Sequence, residues 1–143
     1  MLDTNLYVRA FRSAVGAREL QTFYEAFTPA TYLSSVVLHE LLVGANTVEK
    51  ERSIRNLLAM PLQRARRVIT PTHAAWQSSA EAIAKMSRSE RRDLRSMPKS
   101  LVLDYLLAAS CREAGATLIT DNVNDFVEIQ KSIKFDFEPP WPG

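Results

Sequence analysis

The sequence places two carboxylates inside apolar stretches, where an ionised side chain is costly. Glu40 lies within the apolar run 36–43, and Asp104 lies within the apolar run 101–107. A buried carboxylate loses its hydration and carries a large penalty unless it is paired or bound to a metal ion. These two acids are therefore candidates for chemistry that uses a shared cation.

Three further acids follow strand-like segments. Asp3 ends a short fragment at the start of the chain, and Asp121 and Asp125 follow the apolar segment 116–120. Open parallel sheets bind their ligands at the carboxyl ends of the strands, where such acids would converge. Oxygen ligands with open coordination positions favour a hard cation, which predicts Mg²⁺ or Mn²⁺.

Each acid also has an ordinary structural interpretation, and both interpretations stay open at this point. Asp3 could lie on the surface near the N-terminus, Asp104 could pair with an arginine, and Asp121 or Asp125 could cap a helix. The five acids are more specific as a set than any one of them is alone.

The spacing of apolar residues predicts helices that alternate with short strands. We expect helical segments at 5–27, 36–44 (capped by Ser35), 48–60 (closed by Pro61), 73–87 and 100–114. We expect strands at 2–3, 31–34, 67–69, 116–120 and, as an edge strand that runs into a tail, 135–140. The segment 87–96 is either helical or a mobile loop. This alternation predicts one α/β/α domain over residues 1–143, with three layers around a central parallel sheet.

Composition excludes several classes of protein. The 143 residues are 46% hydrophobic and 24% charged, as expected of one soluble globular domain. The apolar runs are too short to cross a bilayer and no signal peptide is evident, which predicts a cytoplasmic protein without a membrane partner. Cys111 is the only cysteine, so an internal disulfide and a multi-cysteine zinc site are excluded, and we expect this thiol in the core.

Basic residues concentrate in the middle of the chain. Between Arg52 and Lys99 there are eleven arginines and lysines but only three acids. A basic half beside an acidic half suits a polyanion held over a metal site. Scattered basic residues are also typical of solvated helix faces, and the sequence does not choose between these two interpretations.

Four motifs occur in the order in which PIN domains have them. The opening LDTN of residues 2–5 resembles the end of their first strand, and LSSVVLHELLVGA of 33–45 resembles their second motif. The third motif is matched by DYLLAA of 104–109, and TLITDNVNDF of 117–126 is similar to the fourth motif of VapC-type toxins. The ordered set spans nearly the whole chain and resembles a PIN-domain ribonuclease, the toxin half of a VapBC toxin–antitoxin pair.

The resemblance implies roles for individual residues. Asp3, Glu40 and Asp104 would form the acidic core of a metal site. In the fourth motif, Asn122 takes the Asp/Asn position, and Asp125 is the acid that follows it.

Two further polar residues, Thr120 and Asn5, match positions that support the acidic cluster in the family. Asp121 stands where the toxins often have a basic residue, so this chain departs from the pattern there. The fourth metal-binding acid stays open: family position favours Asp125, whereas the end of the strand favours Asp121.

The resemblance also implies a reaction and partners. The reaction is endonucleolytic hydrolysis of RNA with Mg²⁺ or Mn²⁺, and the partners are a second copy of the chain and a cognate antitoxin whose tail covers the acidic groove. Arginines of the basic stretch are the candidates for contacts to RNA phosphates: Arg88, Arg91, Arg92 and Arg95. The chain begins two or three residues later than the family's usual first strand, so we expect either a late start site or a trimmed end.

Two other functions stay open. One is a PIN module that binds RNA or protein without cleavage, against which the intact Asp3, Glu40 and Asp104 argue. The other is a metal-dependent phosphatase for small phosphorylated substrates. The lack of an obvious nucleophilic Asp-x-Asp pair argues against it, as does a basic stretch larger than a small substrate needs.

Overall fold

Parallel pairing joins all the strands of the described part of the chain. A computed structural model of the chain describes residues 1–140. Each strand is two residues long: β1 (Leu33–Ser34), β2 (Val68–Ile69), β3 (Leu118–Ile119) and β4 (Phe137–Glu138). β1 pairs with β2, β3 pairs with β4, and Leu2 forms an isolated parallel bridge with Ile119 on β3. The predicted parallel α/β arrangement is confirmed, but the strands are shorter than predicted and their hydrogen bonds join them in two sets.

Helices occupy most of the remaining described chain: α1 (Thr4–Arg12), α2 (Ala14–Phe27), α3 (Ser35–Val43), α4 (Val48–Ile54), α5 (Met60–Arg64), α6 (His73–Glu90), α7 (Lys99–Ala114) and α8 (Val123–Gln130). None of the helices within residues 1–140 combines the length and the apolar character needed to span a membrane.

The strands are short because polar residues at their ends begin the following helices. Asp3 caps α1 immediately after the Leu2 bridge, and Ser34, the last residue of β1, caps α3 with its Oγ accepting from the Val36 N–H at 3.1 Å. The predicted cap at Ser35 was therefore wrong by one residue, because Ser34 has the extended backbone that an N-cap requires. α1 and α3 therefore begin directly where the extended chain before them ends.

The predicted helical segment 5–27 is divided into two helices at Ser13. Ser13 has an extended backbone with φ −144°, and its Oγ accepts from the Gly16 N–H, so it caps α2. A Cβ on Gly16 would lie 2.6 Å from the Arg9 carbonyl oxygen, so the close crossing of α1 and α2 requires glycine at this position.

Pro61 does not close the helix that precedes it, contrary to the prediction. The segment Arg55–Ala59 has π-helical hydrogen bonding, and α5 follows directly with Pro61 in its first turn. A proline removes one backbone donor and its ring crowds the carbonyl four residues earlier. The wider π turn just before Pro61 accommodates both effects, so the chain stays helical.

The segment 87–96, which the sequence left open between a helix and a mobile loop, begins as helix and ends in a short turn. α6 continues to Glu90 and ends at Arg91, whose left-handed backbone has φ 52°. Asp93 then caps a short 3₁₀ turn at Leu94–Ser96, with its Oδ1 accepting from the Arg95 N–H at 2.9 Å.

Helix α7 supplies the longest continuous part of the core. It is buried from Tyr105 to Cys111 and packs against α3, α6 and α8. The Cys111 thiol is buried and free, which confirms its predicted place in the core. Asp104 stands immediately before this buried stretch, at the border between core and solvent.

Candidate active site

Two hydrogen bonds fix the carboxylate of Asp3, which directly follows the Leu2 bridge to β3. The Asp3 N–H donates to the Ile119 carbonyl oxygen at 2.9 Å, which places the residue beside β3. Its Oδ1 accepts from the Thr4 N–H at 2.7 Å, and its Oδ2 accepts from Thr120 Oγ1 at 2.7 Å. Asp3 is only 4% exposed. Burial is the largest influence on its pKa and raises it, whereas the two hydrogen bonds oppose the rise.

Thr4 connects Asp3 to Glu40. Glu40 lies on α3 and is half-buried, and its Oε2 accepts from Thr4 Oγ1 at 2.5 Å. Burial raises the pKa of Glu40, the Thr4 hydrogen bond lowers it, and the nearby charge of Asp3 raises it further. One threonine therefore joins the start of α1 to the acid on α3.

Asp104 brings α7 into the same electrostatic environment. Burial is the largest cause of its perturbed pKa, and the negative charges of Asp3, Glu40 and Asp125 add to it, so that the pKa reaches about 8. The charges of acids from three other parts of the chain therefore act on Asp104 at this site.

Asp125 lies in the first turn of α8 and is exposed. Its Oδ2 accepts from Asn122 Nδ2 at 2.8 Å, and the Asn122 N–H donates to Thr120 Oγ1 at 3.0 Å. Because Thr120 also donates to Asp3, its single buried hydroxyl connects Asp3 to the N-terminus of α8. The supporting places predicted for Thr120 and Asn122 agree with these contacts.

Asp121 has a different partner. It is exposed and forms an ion pair with Arg9, whose Nη1 lies 3.2 Å from its Oδ2, and Arg9 also pairs with Glu19. The interpretation of Asp121 as a helix cap is wrong, because the N-cap residue of α8 is Asn122. Its charge still raises the pKa of Asp3, so its role as a metal ligand stays a prediction.

Thr4 and Arg9 were not predicted from the sequence to belong to the site. A supporting role was predicted for Asn5, which is exposed on the first turn of α1, whereas the neighbouring Thr4 makes the contact between Asp3 and Glu40. The signal for Thr4 is its place directly after the capping Asp3. No local signal identifies Arg9, because its pairing with Asp121 joins residues far apart in the sequence.

The four arginines predicted to contact RNA are all exposed, around the end of α6. Arg88 is in the last turn of that helix, Arg91 follows it, and Arg95 is in the 3₁₀ turn. Arg92 forms an ion pair with Glu90, with Nε and Oε2 3.0 Å apart. Their exposure agrees with either solvation or RNA contact, and the second remains a prediction.

This basic segment lies close to α7. Burial is the main cause of the raised pKa of Tyr105, and the charge of Arg92 opposes it.

The donor set of the acidic site fits a hard divalent cation. Across residues 1–140, no three His, Cys, Asp or Glu side chains are grouped so as to enclose a metal ion. Mg²⁺ does not need such a cage, because it commonly binds one or two carboxylates together with waters and substrate phosphates. The residues that would hold it are Asp3, Glu40, Asp104 and Asp125, whose mutual repulsion a cation would relieve.

Solved structures with the same fold cover nearly the whole chain. A chain of FitAcB from Neisseria gonorrhoeae has a TM-score of 0.70 and 17% identity, covering 98% of this chain and 96% of that chain. A chain of DNA-bound VapBC from Salmonella typhimurium has a TM-score of 0.68 and 20% identity, with coverages of 97% and 96%. For VapBC-1 from nontypeable Haemophilus influenzae the values are 0.65 and 23%, with coverages of 97% and 96%. At these identities the similarity concerns the fold.

The comparison by sequence identifies the family. Among curated proteins there is no match to the chain. The PIN domain family matches residues 1–131, a span that includes Asp3, Glu40, Asp104 and Asp125. This match agrees with the fold and with the four motifs, and the chain therefore belongs to the PIN domain family.

Proposed function

We propose that this protein is a metal-dependent endoribonuclease and the toxin of a VapBC-type toxin–antitoxin pair. The observation that carries the proposal is the assembly of Asp3, Glu40, Asp104 and Asp125 at one site from four separate elements. The membership in the PIN domain family and the fold shared with VapBC chains support it.

The reaction is the hydrolysis of an RNA phosphodiester. Bound Mg²⁺ or Mn²⁺ supplies an activated water and offsets negative charge on the phosphate. Thr4 and Thr120 hold the Asp3 carboxylate in place before substrate arrives, so little reorganisation is needed on binding. Asp104 holds a proton near neutral pH in the metal-free chain, and it must release that proton to act as a ligand.

The proposed partners are RNA, a second copy of the chain and an antitoxin. Arg88, Arg91, Arg92 and Arg95 offer positive charge to RNA phosphates from the surface around the end of α6. The family resemblance supports a homodimer and an antitoxin whose tail covers the acidic groove, and we place this protein in the cytoplasm.

The test is a cleavage assay on RNA with matched variants. The purified chain is incubated with structured RNA and, separately, with a generic phosphomonoester, each with Mn²⁺ or with a chelator. We expect the wild-type chain to cleave RNA only when the metal is present, and we expect no cleavage by Asp104→Asn. The control is Glu113→Gln, which changes an exposed acid on the same helix and should keep full activity.

The outcomes separate the three functions. RNA binding without cleavage under any condition would favour the non-catalytic module. Hydrolysis of the phosphomonoester in preference to RNA would favour the phosphatase. Full activity of Asp104→Asn would contradict the assignment of the site.

A further inference from the structure

A cavity of about 290 Å³ opens beside Glu40, between α1, α3 and α4. Phe11 and Arg12 line it from α1, and Glu49 and Lys50 line it from α4. Glu40 lines this cavity and is also one of the acids of the candidate active site, so the cavity adjoins that site at Glu40. We call this cavity the Phe11 pocket.

The volume of the Phe11 pocket limits its occupant. Pockets for small molecules span about 300–1,000 Å³, so this one is at the lower end and suits a single ring system. Its position beside Glu40 means that an occupant of the pocket would lie next to whatever group the acids act on.

Phe11 gives the pocket an aromatic surface. It lies in the last turn of α1 and is 42% exposed, although its ring is large and apolar. Unpaired RNA bases are commonly recognised by stacking on aromatic side chains of this kind. The exposed ring is therefore suited to the face of a base.

The charged groups of the pocket suit the remaining parts of a nucleotide. Arg12 and Lys50 are exposed cations that can meet phosphate, and Asn46 holds Lys50, with Oδ1 accepting from Nζ at 2.8 Å. Glu49 is an acceptor at the same pocket, and a carboxylate accepts hydrogen bonds from the exocyclic amino group of a base. Cytosine, adenine and guanine have one, whereas uracil offers a carboxylate only its ring N3–H, which lies between two carbonyl oxygens that repel a negative charge.

A second cavity on the same side of the molecule has another character. It is about 750 Å³ in volume, and its lining of mostly apolar residues runs from α1 and α2 to α5. Its lining includes no acidic residue. Tyr7 and Tyr24 both line it, and their hydroxyl groups form a hydrogen bond with each other at 2.8 Å. Phe11 also lines this second cavity, and Arg67 is the one cation of its lining. Of the two cavities, only the Phe11 pocket combines the ring with two cations and with the carboxylates of Glu40 and Glu49.

We propose that the Phe11 pocket holds the base of the nucleotide next to the cleaved phosphodiester and selects bases that carry an exocyclic amino group. Phe11 stacks on the base, Glu49 accepts from its amino group, and Arg12 and Lys50 contact its phosphates. This inference rests on the proposed ribonuclease function and adds a specificity-determining site to it.

The experiment measures which bases flank the cut. A single-stranded RNA pool with randomised sequence is cleaved in Mn²⁺, and the new ends are sequenced for the wild-type chain, Phe11→Leu, Phe11→Trp and Glu49→Gln. Phe11→Leu keeps apolar bulk and removes the ring, so it protects the test against misfolding. The matched control is Phe27→Ala, an exposed phenylalanine on α2 that lines a different cavity.

The wild-type chain is expected to disfavour uracil at one position beside the cut. Phe11→Leu should lower kcat/KM on a preferred RNA by about 5- to 150-fold, the range for loss of one stacked base. Phe11→Trp should retain the rate, Glu49→Gln should weaken the discrimination against uracil, and Phe27→Ala should leave both unchanged.

Two results would overturn the inference in distinguishable ways. If the wild-type chain cuts RNA and Phe11→Leu retains its rate and base frequencies, the pocket is not a base site while the nuclease function stands. If the wild-type chain cuts no RNA, this inference and the proposed function fail together.

Discussion

Asp104 has the most perturbed carboxyl group of the acidic site. Its pKa rises from 3.8 to about 8, with burial as the largest cause, followed by the charges of Asp3, Glu40 and Asp125. In metal-free protein the folded state therefore holds a proton that the unfolded state releases above about pH 4. Ionisation of Asp104 consequently lowers the free energy of unfolding as the pH rises from about 4 to about 8, and its full cost is present above pH 8.

Asp104→Asn should remove this pH-dependent cost. Asparagine cannot ionise, so the metal-free variant should be more stable than the wild-type chain at pH 8 and similar to it at pH 4. We expect a gain of about 2 kcal/mol at pH 8, a value discounted for solvent screening at a partly exposed group. Urea unfolding in chelator across this pH range measures it. A variant that shows the wild-type slope would mean that Asp104 titrates normally.

Asp121 and Asp125 differ in their partners, which bears on the choice of the fourth metal-binding acid. Asp121 is paired with Arg9, whereas Asp125 acts on Asp104 and accepts from Asn122. Asp125→Asn should therefore weaken Mn²⁺ binding more than Asp121→Asn does. Calorimetric titration with Mn²⁺ measures both affinities. A large loss in the Asp121 variant alone would identify Asp121 as the ligand.

At the scale of elements, the sequence predicted the helices and parallel strands better than their ends. The apolar spacing indicated α3 and α7 because each contains a long apolar run, 36–43 and 101–107, that one acid interrupts. It did not indicate the π segment before Pro61 or the division at Ser13, since neither a π turn nor a cap within a continuous helical pattern changes the spacing of apolar residues enough to be noticed. The acids were identifiable because burial makes a carboxylate conspicuous, whereas the hydroxyl of Thr4 is tolerated almost anywhere and becomes informative only through its contact with Glu40.

The basic segment that ends α6 carries a prediction about RNA affinity. Replacing Arg88, Arg91, Arg92 and Arg95 together with alanine should weaken binding of single-stranded RNA and reduce its salt dependence. The slope of log K against log salt should fall by about 0.7 for each lost phosphate contact. RNA binding is measured with the arginine changes introduced into the Asp104→Asn variant, so that the RNA is not cleaved during the measurement. Arg18→Ala on α2 is the control for loss of an exposed arginine, and a slope unchanged in the fourfold variant would make these arginines a solvated surface.

At the scale of the whole molecule, the acidic site joins the start of the chain at Asp3 with α3, α7 and α8. Asp3 is buried and held from both sides, so its position depends on the pairing of Leu2 with Ile119 and on the hydroxyl of Thr120. Like charges gathered from distant parts of the chain repel one another in the metal-free protein. A cation that binds only the assembled site should therefore stabilise the entire fold against unfolding.

Mn²⁺ should raise the melting temperature of the wild-type chain in a concentration-dependent way. At about 100 times the dissociation constant, binding contributes about 2.7 kcal/mol, which corresponds to a shift on the order of 10 °C for a domain of this size. Thermal melts with Mn²⁺ and with KCl at equal ionic strength separate specific binding from screening, and chelator should reverse the shift. Asp104→Asn should lose most of it because one ligand is removed, whereas Glu113→Gln on the same helix should retain it. Equal shifts in the two variants would mean that the ion binds elsewhere and that the four acids are not its site.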